Sequence, residues 1–128
     1  MSGILFLCIH NAGRSQMAAG FARELSQGDV DIFSGGSEPA DQVNPVAVEV
    51  MKEIDIDISG YQPQRFTDDL LAMVDVVVTM GCGDTCPYIP GKTYVDWPLD
   101  DPKGKPIDDV RRIRDEIKSR VEALLAQL

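Results

Sequence analysis

An apolar run that ends around Cys8 and leads directly into a helical pattern constrains the fold more than any other feature of the chain. Gly13, Arg14 and Ser15 open that pattern, so the sequence predicts a strand, a tight loop and a helix N-terminus. Backbone N–H groups of such a loop point into its concave side, and the helix end adds partial positive charge. The same field favours a thiolate over a thiol. We therefore expect a nucleophilic sulfur in an anion-binding loop; the alternative is an inert structural cysteine packed before a helix.

Strand-like and helix-like segments alternate along the chain. Apolar runs predict strands at residues 4–9, 30–33, 75–80 and 92–97. Apolar residues at helical spacing predict helices that begin near Arg14, Asn44, Thr67 and Asp108. Such alternation is typical of a parallel sheet with helices on both faces. The sequence therefore predicts an α/β fold: a single three-layer domain, residues 1–128, around a four-stranded parallel sheet.

Individual residues define the predicted helices more closely. Met17, Phe21 and Leu25 recur at i and i+4, which gives the first helix one apolar face. Asn44 is a typical N-cap for the second helix, and the proline after it is typical of a first helical residue. Residues 55–66 are rich in turn-forming residues and predict a connecting loop.

Three chemically distinctive parts of the sequence each follow a predicted strand. They are Cys8, Cys82 and the loop after Trp97. Ligands of parallel α/β sheets bind beyond the carboxyl ends of the strands. We therefore expect these three parts of the chain to meet at one edge of the sheet.

Composition and charge narrow the function classes. The chain has 128 residues, 44% of them hydrophobic, with a net charge of −9 that argues against nucleic acid and anionic membranes as partners. No apolar run approaches the ~20 residues that span a bilayer, so we expect a soluble, cytoplasmic protein. Three cysteines are an odd number, which argues against a disulfide scaffold.

The loop after Cys8 has the residue types that bind a tetrahedral oxyanion. Arg14 supplies a planar, permanently charged fork, and the Ser15 hydroxyl is expected to donate a hydrogen bond to the Cys8 thiolate. Asn11 tolerates a left-handed backbone, and Gly13 gives the loop freedom to turn its amides inward. The predicted oxyanion-binding residues are Ile9, His10, Asn11, Ala12, Gly13, Arg14 and Ser15.

A pair of carboxylates, Asp100 and Asp101, precedes Pro102 in the long loop after the last predicted strand. Displacement of an oxygen from a tetrahedral oxyanion requires a proton on the leaving group. A carboxylic acid on a neighbouring loop can supply that proton. The alternative is a solvated acidic turn without a chemical role.

Two further thiols, Cys82 and Cys86, lie four residues apart in a glycine-containing segment. They could form a disulfide with each other, and one of them could reach Cys8. Zinc binding is a competing interpretation, but a single remote histidine and the lack of a second cysteine pair argue against it. A third alternative is a pair of incidental thiols at a turn. That histidine, His10, is expected to form part of the loop wall rather than to act as a base or metal ligand.

Several segments carry a family resemblance: Cys8-x5-Arg14-Ser15-Gln16-Met17-Ala18, Asn44–Pro45, residues 55–59, Cys82, Cys86–Pro87 and Asp101–Pro102. Together they resemble the arsenate reductases of the low-molecular-weight protein tyrosine phosphatase fold, and the match covers nearly the whole chain. Residues 10–14 and 81–87 are most similar to the branch described as arsenate–mycothiol transferases.

The resemblance implies a role for each residue. Cys8 would attack arsenate, Arg14 and the loop amides would hold its oxygens, and Asp101 would be the general acid. A second thiol would then release arsenite, while phosphate or sulfate would mimic the substrate. Thioredoxin-coupled members carry an acidic residue that helps to hold potassium where this chain has Ala18–Ala19, so we expect no metal site and no tightly bound cofactor. Lys103 replaces the tyrosine usual in the phosphatases, which counts against a tyrosine phosphatase.

The second thiol leaves two routes open. A small thiol such as mycothiol, with mycoredoxin, would take the arsenic, and the resemblance favours this route. Alternatively, Cys82 attacks Cys8, Cys86 resolves the disulfide, and thioredoxin reduces the resulting pair. A low-molecular-weight phosphatase, a phosphoryl carrier that holds phosphate on Cys8 and an oxyanion sensor are the other function classes.

Overall fold

Four parallel strands form the sheet in the part of the chain that the computed structural model describes, residues 3–80 and 91–127. The strands are β1 (Gly3–Cys8), β2 (Asp31–Gly36), β3 (Val76–Thr79) and β4 (Thr93–Asp96). The helices in the same residues are α1 (Arg14–Ser26), α2 (Pro45–Lys52), α3 (Asp68–Ala72) and α4 (Ile107–Ala126). The strand order is β2-β1-β3-β4. The predicted four-stranded parallel sheet is confirmed.

Strand β1 lies at the centre of the sheet, and every residue of it is buried. Its side chains alternate between two hydrophobic clusters, with Ile4 and Phe6 in the larger and Leu5 and Leu7 in the smaller. The larger cluster contains buried residues of α1, α2 and α4, whereas the smaller one contains Leu71 of α3. Helices therefore cover both faces of the sheet, as the continuous apolar run predicted.

Helix α1 departs from its predicted apolar face at one residue. Met17 and Phe21 are buried, but Leu25 is 40% exposed. Successive i+4 steps in a helix of 3.6 residues per turn drift by about 40° each, so Leu25 points about 80° away from Met17. Of three residues spaced by i+4, the first two are therefore buried in the core and the third is exposed.

Capping residues start two of the helices as the sequence predicted. The Asn44 side chain accepts a hydrogen bond from Val46 N at 2.9 Å, with a proline at the first position of α2. The Thr67 hydroxyl accepts from Leu70 N at 3.1 Å at the start of α3. Both helices end earlier than their apolar patterns, so Met73 is the C-cap of α3 and is exposed.

Strand β2 extends beyond the predicted residues 30–33 and ends at Gly36. Its last residue pairs with Cys8, because β1 and β2 remain in register to the end of both strands. Pairing with β1 thus includes Gly35 and Gly36 in the strand. Gly36 therefore lies directly beside the loop that carries Cys8.

The carboxyl ends of three strands meet at one edge of the sheet. Met80 N donates to Leu7 O at 2.8 Å, and Trp97 N donates to Thr79 O at 2.8 Å. Cys8 and the loop after Trp97 therefore lie at the same edge, as expected. Cys82 and Cys86 lie outside the described residues. Among the helices that the structure describes, none has the length and apolar character needed to span a bilayer.

Candidate active site

Cys8 is the last residue of β1, and its sulfur is the acceptor at the centre of a small hydrogen-bond network. The Sγ atom lies 2.9 Å from Ser15 Oγ, and Asn11 N donates to it at 3.2 Å. Asn11 Nδ2 donates in turn to Ser15 Oγ at 2.7 Å. The Cys8 side chain is buried. Two donors are therefore available to a buried sulfur.

The loop backbone turns its amides toward that sulfur because its carbonyls are occupied on the opposite side. The carbonyls of Ile9, His10 and Ala12 accept hydrogen bonds from the backbone N–H groups of Glu38, Ala40 and Asn44, at 2.8, 3.0 and 2.8 Å. The N–H of the following residue in each peptide points the opposite way. Asn11 has φ 50°, the left-handed conformation that lets the loop close. The result is an anion-binding concavity lined by backbone N–H groups.

Arg14 is the first residue of α1 and is only 6% exposed. Its Nη1 donates to Leu99 O at 3.1 Å, and its Nη2 lies 3.9 Å from Asp101 Oδ2. Both partners belong to the loop after β4. The guanidinium is thus fixed over the concavity by a second loop, with its positive charge shared between the site and one carboxylate.

Asp101, rather than Asp100, faces Cys8. Asp101 lines the same cleft as Cys8, whereas Asp100 lines a separate cleft together with Lys105 and Arg112. The Asp101 side chain is 48% exposed, and its Oδ1 accepts from Lys103 N at 3.0 Å. This short turn holds the carboxyl at the cleft mouth, opposite Arg14.

The cleft itself has a volume of about 350 Å³. Its described lining includes Cys8, His10, Arg14, Asp101 and Lys103 and contains no phenylalanine, tyrosine or tryptophan. His10 contributes wall, as expected, because its Nδ1 donates to Glu38 O at 2.9 Å. The cationic side chains of Arg14 and Lys103 in this lining suit a bound oxyanion.

Gly13 acts through packing as well as through its backbone, whose φ of −125° and ψ of −87° are neither helical nor extended. A Cβ at this position would lie 2.8 Å from Pro102 Cγ, too close for a stable contact. Gly13 therefore permits the Asp101 loop to rest directly on the Cys8 loop.

Three further residues, for which the sequence predicted no role, shape the site. Gly36 passes so close to the loop that a Cβ would lie 2.5 Å from Ile9 O. Gln16 is fully buried, and its Nε2 donates to Asn11 Oδ1 at 3.1 Å. The backbone N–H of Gln64, in the connecting loop, donates to the same oxygen at 2.9 Å. The glycine pair at the end of β2 was the one local signal, because it directly follows a predicted strand.

No group of three or more His, Cys, Asp or Glu side chains suited to a metal ion occurs within residues 3–80 and 91–127. The groups that the described cleft offers are the Cys8 thiol, the Arg14 guanidinium, the Asp101 carboxyl and the loop amides. Cys82 and Cys86, the predicted relay thiols, lie outside the described residues.

Comparison with known proteins gives a consistent picture. A family model described as low molecular weight phosphotyrosine protein phosphatase matches residues 3–128. Arsenate reductase 2 from Staphylococcus epidermidis is 41% identical over 124 residues, covering 94% of this chain and 93% of that protein. An arsenate reductase from Staphylococcus xylosus is 42% identical over 122 residues, covering 93% and 92%.

Among solved structures, a thioredoxin-dependent arsenate reductase from Corynebacterium glutamicum superimposes with a TM-score of 0.88 at 38% identity. That match covers 99% of this chain and 61% of the Corynebacterium chain. The family match extends from β1 to α4, and relatives above 40% identity align along more than nine-tenths of the sequence. The chain therefore belongs to the low molecular weight phosphotyrosine protein phosphatase family, among its arsenate reductases.

Proposed function

We propose that this protein reduces arsenate to arsenite in arsenic detoxification, with the Cys8 thiolate as the nucleophile. The observation that carries the proposal is the meeting of Cys8, Arg14 and Asp101 in one cleft, although Asp101 is far away along the chain. Arsenate has the shape and charge of phosphate, so a cleft that binds one tetrahedral oxyanion accepts the other. The residues of the cleft and the description of the relatives as arsenate reductases both support this reaction.

The first step is displacement at arsenic. The Cys8 thiolate forms a bond to As(V), while Arg14 and the loop amides hold the arsenate oxygens and stabilise the charge that develops on them. Asp101 donates a proton to the departing oxygen, which leaves as water. The distance of 3.9 Å between Arg14 Nη2 and Asp101 Oδ2 supports this role, because an oxyanion bound by the guanidinium would lie near the carboxyl. The product is an arsenic ester on Cys8.

The second step is the reduction. The Cys82 thiolate attacks the Cys8 sulfur, and the electron pair of the S–As bond leaves with arsenic, which becomes arsenite, As(III). This step forms a Cys8–Cys82 disulfide. Cys86 then attacks Cys82 and frees the Cys8 thiolate, which leaves a Cys82–Cys86 disulfide. A thioredoxin dithiol reduces that disulfide and closes the cycle.

We favour thioredoxin over the mycothiol route that the sequence resemblance suggested. The Corynebacterium relative is described as thioredoxin-dependent, and neither Staphylococcus relative is described as a mycothiol transferase. The backbone also supports a relay. Met80 N donates to Leu7 O at 2.8 Å. Met80 is two residues from Cys82 in the sequence, and Leu7 is next to Cys8. A cycle of reduced thiols suits the cytoplasm, which is where we expect the protein to act.

A tyrosine phosphatase is the second candidate function, because the family model carries that name. The described cleft lining disfavours it, since no phenylalanine, tyrosine or tryptophan is present to hold a phenyl ring. Lys103 occupies the cleft at the position where the phosphatases usually have tyrosine. Turnover of an aryl phosphate at a rate comparable to that of arsenate would favour this alternative.

Arsenite formation with thioredoxin or mycothiol as the sole reductant tests the proposal. The wild type should turn over with thioredoxin, and Cys8→Ser, Cys82→Ser and Cys86→Ser should each reduce turnover to background, because every thiol of the relay is required. A Ser for Cys change retains size and removes the thiolate, so the three variants form a matched set.

The outcomes separate the two routes. If only Cys8→Ser lost activity and mycothiol supported turnover of the other proteins, the relay would be contradicted and the small-thiol route would be favoured. An absence of arsenite from the wild type with either reductant would overturn the function itself.

A further inference from the structure

We propose that Gln16 is a positioning residue that sets the direction of the hydrogen-bond chain ending on Cys8 and thereby favours the thiolate. The inference rests on the proposed function only in that Cys8 reacts as a thiolate. It follows from which atoms of the buried network can donate and which can accept.

The orientation of the Asn11 amide is fixed by two donors. Gln64 N lies 2.9 Å from Asn11 Oδ1, and Gln16 Nε2 lies 3.1 Å from the same atom. A backbone N–H can only donate, so the atom that faces Gln64 N is the amide oxygen. The Asn11 nitrogen must therefore face Ser15 Oγ, 2.7 Å away, and donate to it.

The direction of the next hydrogen bond follows from this one. Ser15 Oγ accepts from Asn11 Nδ2, so its single hydrogen remains available for the Cys8 sulfur at 2.9 Å. Asn11 N also donates to that sulfur at 3.2 Å. A sulfur that receives two donors is better satisfied as a thiolate than as a thiol, because hydrogen bonds to the charged form favour it.

Gln16 is held so that its donors, and not its oxygen, face Asn11. Its Nε2 also lies 3.1 Å from the backbone O of Asn11, an atom that can only accept. The side chain is fully buried, and its Oε1 has no hydrogen-bond partner among residues 3–80 and 91–127. An apolar side chain of equal length would fill this space without burying an unpaired oxygen. The hydrogen bonds of Nε2, two to Asn11 and one of 3.5 Å to Gln62 O, are therefore what glutamine supplies that methionine does not.

Gln16 thus binds two atoms of Asn11, its backbone oxygen and its side-chain oxygen. Its bond to Asn11 O supports the left-handed backbone, φ 50°, and its bond to Asn11 Oδ1 keeps the amide oxygen away from Ser15. Without these bonds, Gln64 N alone holds the amide oxygen, so the amide turns more readily and its oxygen then competes for the Ser15 hydrogen. The Cys8 thiolate loses one of its donors in that orientation.

The test measures the rate of Cys8 alkylation by iodoacetamide against pH, followed on the Cys8 peptide by mass spectrometry. In Gln16→Met the midpoint of the profile should move up by about one pH unit, which lowers the rate at acidic pH about tenfold and leaves the plateau at high pH unchanged. Gln127→Met, on the exposed C-cap of α4, is the matched control and should leave the profile unchanged.

Ser15→Ala supplies the decisive background, because Gln16 is inferred to act through Ser15. The Gln16→Met change should add no further shift in that background, as expected for residues in one network. Gln16→Leu, which also lacks donors, is the second variant, and circular dichroism establishes that each protein is folded. A purely structural role would lower the Tm and leave the midpoint in place.

A wild-type profile in the folded Gln16→Met and Gln16→Leu proteins, or a full additional shift on top of Ser15→Ala, would overturn the inference. Alkylation consumes no arsenate and needs no reductant. A failure of arsenate reduction would therefore reject the proposed function and leave this test intact.

Discussion

A contact between Gly13 and Pro102 joins the two loops on which the proposed chemistry depends. Pro102 is buried against Gly13, directly after Asp101, while Arg14 binds Leu99 O in the same loop. The position of the Asp101 carboxyl is thus set partly by the absence of a side chain at residue 13. Residue-scale packing, and not the charge pair alone, fixes the distance between acid and cation.

Substitution of Gly13 by alanine should therefore impair catalysis more than folding. The new Cβ would lie 2.8 Å from Pro102 Cγ and push the Asp101 loop outward. A displacement of about 1 Å at a catalytic group can cost up to about 100-fold in rate, so we expect kcat for arsenate to fall by about that factor in Gly13→Ala. Steady-state kinetics with thioredoxin measures this change.

Pro102→Ala removes the clashing Cγ and provides the matched test. The double variant Gly13→Ala/Pro102→Ala should recover part of the lost kcat, because the two residues touch and their effects are coupled. Strictly additive losses would show that Gly13 acts through the Cys8 loop alone.

At the scale of the elements, Glu53 connects the end of α2 to α4. Its carboxylate accepts from Arg111 Nη2 at 2.7 Å and from Arg114 Nη1 at 2.9 Å. Arg114 Nη1 also donates to Val50 O at 2.8 Å, inside α2. The hydrogen bonds from Arg111, followed by those from Arg114, hold the pKa of Glu53 below its ordinary value of 4.5. The ionised carboxylate is therefore the form that stabilises the contact between these helices.

The stability that Glu53 provides should depend on pH in a defined direction. Because the pKa is lowered in the folded protein, the contribution is complete above pH 4.5 and is lost as the pH falls through the folded value. Glu53→Gln should lower the Tm at pH 7, and the difference from the wild type should shrink as the pH falls below 4.5 and through the folded value, because the carboxyl then becomes protonated in both states. Thermal unfolding followed by circular dichroism measures both.

Glu116→Gln is the control for this change. Glu116 pairs with Arg120 at 3.2 Å within α4 alone, so its replacement should change the Tm much less, as exposed pairs within one helix do. A difference between Glu53→Gln and the wild type that did not shrink as the pH fell below 4.5 would show that the carboxylate charge does not stabilise this contact.

The elements also show which features a sequence reveals. The Asn44 cap and the Thr67 cap depend on neighbours within a few residues, and the sequence predicted both helix starts from them. The end of β2 depends on pairing with β1, and the contact of Gln64 with Asn11 joins residues 53 apart. Such contacts exist only once the sheet has brought the loops together, so local patterns do not specify the partners.

At the scale of the whole molecule, the net charge of −9 and an anion-binding cleft are compatible. Arg14 is 6% exposed, so its interaction with a bound oxyanion occurs at short range and away from bulk solvent. Surface carboxylates act across water, where salt screens charges more than about 8 Å apart at physiological ionic strength. The local field of the loop therefore determines what binds at Cys8.

Two hydrophobic clusters, one on each face of the sheet, share the central strand β1. Ile117 of α4 belongs to the larger cluster and Leu71 of α3 to the smaller, and both side chains are at most 1% exposed. Because β1 contributes residues to both clusters in alternation, neither cluster can lose its packing without disturbing the other. The single predicted domain should accordingly unfold as one cooperative unit.

Ile117→Ala and Leu71→Ala test that expectation from opposite faces. Each leaves a cavity in a buried cluster and should cost about 3 kcal/mol, within the range for deletion of large aliphatic side chains. Both variants should shift the whole urea transition to lower concentration, with an unchanged slope and with coincident near-UV and far-UV signals. Met73→Ala, at the exposed C-cap next to Leu71, should change the stability by less than about 0.5 kcal/mol. A separate early transition in Leu71→Ala, with the remainder unfolding as in the wild type, would show that the two faces are independent units.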